Sequence, residues 1–201
     1  QRIFLIGPLD IDQKFKLAPD GIIFIDGGLK HFNALQELFC NIPRTSIGDG
    51  DSTQDTKQID HLFTKNKDLS DLKLSLDSLP ENITHLELYG LEGGRNDHFL
   101  CNLGEIHNFL ESNKRNIQIG LYGKTQNIIA TNERKFTFQC QTTFSLLSLS
   151  DNSLDIEGDC EYTGKSILLR PFSSKGLSNK GRGEIIISSI KPIFIIISHV
   201  E

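Results

Sequence analysis

Apolar positions keep one rhythm up to about residue 131 and another after it. In the first part, short apolar runs alternate with helical stripes. Arg2–Gly7 and Gly21–Ile25 are brief runs rich in β-branched and aromatic residues and predict strands. Phe32, Leu35 and Phe39 share one helical face. Leu69, Leu72, Leu76 and Leu79 form a second stripe, with Asp68 as the expected N-cap, Asp71 in the first turn and Pro80 as the stop. Ile83–Tyr89 alternates as a strand. Phe99, Leu100, Leu103, Ile106, Phe109 and Leu110 predict a third helix, and Ile117–Tyr122 with Ile128–Ala130 a closing strand or hairpin. Thr53–Asn66 is polar and reads as loop with some helix.

From Phe136 the helical period disappears. Strand-like runs follow at Phe136–Phe138, Phe144–Leu149, Ser166–Leu169, Glu184–Ser188 and Ile193–Ser198. Turn residues separate them at Ser150–Asn152, Glu157–Asp159, Gly176 and Asn179–Gly181. The pattern predicts an α/β N-terminal domain with a mostly parallel sheet over residues 1–131, then an all-β sandwich or barrel over residues 132–201.

Composition narrows the function. A 201-residue chain that is 37% hydrophobic can build packed cores. Its net charge of -5 argues against nucleic-acid and membrane-surface partners. No apolar run is long enough to span a bilayer. Gln1–Phe4 shows no signal-peptide core, so the cytoplasm is the expected compartment. Cys40, Cys101, Cys140 and Cys160 are widely spaced and read as buried thiols of a reducing compartment.

Candidate chemistry gathers at loops after strands. Gly48-Asp49-Gly50-Asp51-Ser52 places two carboxylates on one side of an extended segment, with glycines leaving room for a ligand. That suits a divalent cation carrying phosphate; an acidic surface turn has the same composition. Asp26-Gly27-Gly28 joins a strand to a helix, the form of a phosphate site at the carboxyl edge of a parallel sheet and equally of a plain turn. A second such junction, Gly90–His98, carries Arg95, Asp97 and His98, and an arginine there can grip phosphate or carboxylate. No Ser-His-Asp set or reactive cysteine stands out.

The motifs in order are Asp26-Gly27-Gly28, Gly48–Ser52, Lys67-Asp68-Leu69-Ser70-Asp71, Gly93–His98 with Asn102, and Gly176-Leu177-Ser178-Asn179. This set resembles the thiamin pyrophosphokinase family across nearly the whole chain. The resemblance implies transfer of diphosphate from ATP to the hydroxyl of thiamin, with Mg²⁺, in a homodimer whose active sites join the α/β domain of one subunit to the β domain of the other. It assigns Asp49, Asp51 and Asp68 to Mg²⁺ with Asp71 beside them, Asp26, Gly27, Gly28 and Ser52 to the nucleotide, and Arg95 and Asp97 to the reacting groups. Lys67 joins Arg95 as a cation for the phosphates, and Ser178 and Asn179 approach the nucleotide or thiamin. Asp71 and Asp97 are both candidates for a general base.

Two features depart from the family pattern. Ser70 stands where threonine is usual, and the chain has no Trp. Tyr162 falls where the family places an aromatic residue near thiamin, within a Gly158–Gly164 segment that fits the pattern poorly. Diphosphate transfer to another alcohol, such as a pterin or a thiamin analogue, and non-catalytic binding of nucleotide or thiamin are therefore the competing expectations.

Overall fold

The computed structural model describes residues 1–12, 14–50, 59–63 and 69–199. The chain divides into two compact units, 1–105 with 121–123 and 106–120 with 124–201. Together they form a sheet-dominated fold with few helices.

In the first unit, β1 (Arg2–Ile6), β2 (Gly21–Ile25), β3 (Arg44–Gly48), β4 (His61–Leu62) and β5 (His85–Tyr89) pair in the order β5-β1-β2-β3-β4, all parallel. Their buried runs need cover on both faces. Phe4, Ile6, Ile22 and Phe24 bury one face beneath Leu35 of α1 (Phe32–Leu38). Alternate residues Ile3, Leu5, Ile23 and Ile25 are buried on the other, and α2 (Asp71–Asp77) packs on β2 and β3 through that side with Leu72 and Leu76 buried. A buried carboxylate sits within β5: Glu87 accepts from the Tyr89 hydroxyl at 2.7 Å and faces Arg2 Nε at 2.9 Å. Burial and then this carboxylate hold the Tyr89 phenol well above its ordinary pKa.

Both α3 (Asn96–Ser112) and β6 (Gln118–Tyr122) contribute residues to each unit. Leu103, Ile106 and Leu110 of the predicted α3 stripe are buried, but Leu100 is exposed.

The second unit holds β7 (Gln126–Thr131), β8 (Lys135–Cys140), β9 (Thr143–Leu147), β10 (Asn152–Cys160), β11 (Gly164–Leu169), β12 (Asn179–Ser189) and β13 (Ile193–Ser198). Every pairing is antiparallel. One layer runs β8-β12-β10-β11 and the other β12-β9-β13-β7, so the long β12 belongs to both. Phe138, Phe144, Leu154, Ile185, Ile187 and Ile195 are among the residues of its shared core.

Three sequence readings change here. Ser150 and Asp151 do lie in the turn between β9 and β10, which begins at Asn152, but Glu157–Asp159, expected as a turn, lies within β10. Gly158 has φ 100° and sits at a register shift against β12, so it marks a bulge. Asn179–Gly181 opens β12, because Gly181 lets that strand pass close to Cys140: a Cβ would lie 2.7 Å from the Cys140 carbonyl oxygen. All four cysteines are free, but Cys40 and Cys101 are exposed and only Cys140 is fully buried.

Asn132 ties the end of α3 to the sandwich. Its Oδ1 accepts from Ile117 N at 2.8 Å, and Nδ2 reaches the carbonyl oxygens of Leu110, Asn113 and Arg115 at 2.8 to 3.0 Å. Removing this amide strands several backbone groups. Urea denaturation of Asn132→Ala is expected to show a loss of about 2–3 kcal/mol with an unchanged m-value.

His107 of α3 is 6% exposed, near the Phe194 ring, with Nδ1 lacking a hydrogen-bond partner among the described residues. Burial holds its pKa below the ordinary value; Glu111 opposes the shift and Lys191, itself paired to Glu111 at 2.6 Å, assists it. The folded pKa is thus lower than the unfolded one. The neutral ring's contribution is present above the unfolded value of about 6.5 and is lost as pH falls through the folded value. The denaturation midpoint should therefore drop between pH 7.5 and 5.5, and drop less in His107→Leu.

Candidate active site

The site begins where β2 and β3 end side by side. Adjacent parallel strands deliver their following residues to the same sheet edge. Asp26 leaves β2 with φ 41° and opens a 3-10 helix, Asp26–His31. Asp49 follows β3. The Asp26 carboxylate accepts from Gly50 N at 3.1 Å. Gly48 makes this approach possible, since a Cβ there would lie 2.7 Å from Asp26 Oδ1. Gly28 does the same for the 3-10 helix, whose close seat on β1 would put a Cβ 2.0 Å from the Ile6 carbonyl oxygen.

A third carboxylate comes from α2. The Ser70 hydroxyl accepts from Lys73 N at 3.1 Å and caps the helix, correcting the expected cap at Asp68. Asp71 thereby becomes the first helical residue. Oxygens of Asp26, Asp49 and Asp71 all lie within 4.8 Å of one another. At that spacing, and an effective dielectric of about 20, each ionised pair repels by about 3 kcal/mol, so a divalent cation is the natural complement. Three hard oxygen donors suit Mg²⁺.

Asp26 and Asp71 line a cleft of about 400 Å³. Arg95, His98 and Asn102 line it too, as do Pro8 and Leu9 after β1. Arg95 follows Gly93 and Gly94, both with positive φ. Its Nε donates to Asp97 Oδ1 at 3.1 Å and its Nη2 to Oδ2 at 2.5 Å. This side-on pair lowers the Asp97 pKa to about 2, through the Arg95 hydrogen bond above all, and raises that of Arg95.

The expected site residues thus divide. Asp26, Asp49 and Asp71 form the acid cluster, Asp26, Asp71 and Arg95 line the cleft, Asp97 is joined through Arg95, and Gly27 and Gly28 follow Asp26 in the 3-10 helix. Asp51, Ser52, Lys67 and Asp68 lie outside the described residues. Ser178 and Asn179 belong to the second unit. Ser178 is exposed with φ 58°. Asn179 is buried, and its amide bonds the backbone of Tyr162 and Lys180 at 2.8 to 3.0 Å. Tyr162, Lys175, Leu177 and Asn179 help to line a mainly apolar cleft of about 250 Å³ in that unit. The sequence reading placed Asp26 with the nucleotide and missed its proximity to Asp49 and Asp71. The available signal was that both Asp26 and Asp49 directly follow apolar strand runs.

Comparison with known proteins bears out the family resemblance. No family model matches the chain. Thiamine pyrophosphokinase of Bacillus subtilis (strain 168) is 35% identical over 96 residues, a match spanning 43% of this chain and 44% of that protein. The crystal structure of thiamine pyrophosphokinase from Bacillus subtilis superposes with a TM-score of 0.75 at 22% identity, over 100% of both chains. A thiamin pyrophosphokinase family protein from Enterococcus faecalis gives 0.72 at 18%, again over 100% of both. Thiamin pyrophosphokinase from Candida albicans gives 0.72 at 15%, over 98% of this chain and 89% of that one. The fold is therefore shared with these proteins over essentially the whole chain.

Proposed function

We propose that this chain is itself a thiamin pyrophosphokinase, transferring diphosphate from ATP to thiamin. The observation that carries this reading is the convergence of Asp26, Asp49 and Asp71 beside a cleft that Arg95 also lines. In the reaction, the thiamin hydroxyl oxygen bonds to the β-phosphorus, the bond from that phosphorus to the oxygen of the α-phosphate breaks, AMP departs and the hydroxyl proton passes to solvent by way of the general base. Such transfer asks chiefly for positioning and charge neutralisation.

Asp26, Asp49 and Asp71 would hold Mg²⁺, with Asp51 and Asp68 as further proposed ligands. Mg²⁺, when bound, neutralises charge on the phosphate oxygens. Gly27, Gly28 and Ser52 are assigned to the nucleotide, and Lys67 and Arg95 to its phosphates. Asp97, held near pKa 2, is a weak base, so its proposed role is to orient Arg95. Asp71 remains the candidate base. The first unit is assigned to catalysis, and the second to thiamin and to dimer formation. Exposed Tyr162, Phe172 and Leu177 support an apolar contact surface on the second unit. In the proposed homodimer, Ser178 and Asn179 approach the site from the other subunit, with Asn179 fixing Tyr162. The proposed compartment is the cytoplasm; among the described residues, no helix is long and apolar enough to cross a membrane.

An acceptor panel tests the reading. With Mg-ATP, AMP release should require thiamin and stop when the metal is chelated. Faster release with a pterin alcohol, or release independent of any acceptor, would overturn it.

A further inference from the structure

The loop from β5 to α3 presents Arg95 on a glycine-rich backbone. Gly90, Gly93 and Gly94 have φ of 66°, 90° and 70°, and a side chain at Gly93 would meet nothing within 4 Å. One end of the loop is packed. Leu9 N donates to the Gly90 carbonyl at 3.0 Å, and buried Leu91 fills the space beside Gly7, where a Cβ would lie 2.5 Å from Leu91 Cγ. At the other end, Gly94 lies against the Leu9 side chain, the Arg95 carbonyl accepts from Phe99 N of α3 at 3.1 Å, and Glu92 adds a lateral contact to the residue after β6. The Glu92 carboxylate occupies the place of a side chain at Gly123, just after β6: a Cβ there would lie 2.0 Å from Glu92 Oε2 and 2.4 Å from Cδ. Gly123 therefore serves as the seat for this carboxylate, within the same unit as the loop.

We propose that Glu92 is a positioning residue. Seated against Gly123, it struts the glycine-rich loop and so sets where Arg95 stands over the cleft for an anionic, diphosphate-bearing substrate. The inference rests on the cleft being the diphosphate-transfer site. Glu92 acts through Arg95 and touches none of the reacting groups. Gly93 and Gly94 give the stretch between Glu92 and Arg95 little stiffness of its own, so loss of the Glu92 seat loosens that stretch while the Leu9 and α3 contacts remain.

The test uses the full chain with Glu92→Ala, Glu92→Gln, Gly123→Ala and the double alanine variant. Amide hydrogen exchange is read at residues 92–96 with β1 as internal reference, alongside steady-state kinetics. Glu92→Ala and Gly123→Ala should each speed exchange at 92–96 only and raise KM for ATP about tenfold with a smaller change in kcat. The double variant should be no worse than either single one, since both break the same contact. Glu92→Gln, which keeps the shape, should restore wild-type exchange and KM. Wild-type exchange in Glu92→Ala, additive effects in the double variant, or a Glu92→Gln as impaired as Glu92→Ala would each overturn the proposal. If Gly123→Ala fails to fold, the two Glu92 variants still decide. If the wild-type chain forms no AMP, the proposed function fails, and the exchange data still judge the strut.

Discussion

Asp71→Asn should lower kcat for thiamin diphosphate formation by about 10²–10³-fold while leaving the melting temperature unchanged or higher. The asymmetry follows from the cluster. Three carboxylates within 4.8 Å of one another repel in the metal-free chain, and replacing one with a neutral amide relieves that strain. The amide keeps the size of the side chain, and the α2 cap at Ser70 stays in place. Activity is expected to fall because the proposed divalent cation would lose an anionic oxygen donor. Kinetics at saturating Mg²⁺ together with calorimetry check both halves. An unaltered kcat, or a large fall in melting temperature, would show that Asp71 serves the helix alone.

Gly28→Ala is expected to be the most damaging small substitution in the first unit. The added methyl would stand 2.0 Å from the Ile6 carbonyl oxygen and 2.9 Å from its carbon, and backbone atoms yield less readily than a side-chain tip. The 3-10 helix must lift from β1, carrying Asp26 away from Gly50 and from the other two carboxylates. A cost of roughly 3 kcal/mol corresponds to a fall of roughly 6–12 °C in melting temperature for a chain of this size. Gly104→Ala is the matched control. Gly104 lies within α3, and a Cβ there meets nothing within 4 Å, so the change should be neutral or stabilise by about 0.5–1 kcal/mol. Equal melting temperatures for the two variants would contradict the packing argument.

Strands β1 and β2 were readable because buried parallel strands are continuous apolar runs, as at Ile3–Ile6 and Ile22–Ile25; β3 carries polar Arg44, Thr45 and Ser46, and β4 is two exposed residues within a stretch read as loop with some helix. Helix faces were readable where the stripe is buried, as at Leu72 and Leu76, and misleading at its rim, as at Leu69 and Leu100, both exposed. In the sandwich, Gly158 and Gly181 carry turn composition but mark a bulge and a close strand approach, distinctions that depend on the neighbouring strand. At the site, the motif carboxylates Asp49 and Asp71 were visible locally. The joining of Asp26 to them depends on β2 and β3 being neighbours, which no local pattern states. The Glu92–Gly123 contact is of the same kind, linking residues far apart in sequence that belong to no shared motif.

In the proposed reaction, the acid cluster and Arg95 serve diphosphate transfer at the β-phosphorus of ATP. Phosphorus NMR of a single reaction of wild-type protein with Mg-ATP and thiamin, run beside Asp71→Asn, addresses it directly. AMP and thiamin diphosphate should grow equally in the wild type, with neither forming appreciably in the variant. Appearance of ADP with thiamin monophosphate, or undiminished AMP from Asp71→Asn, would contradict the proposed reaction.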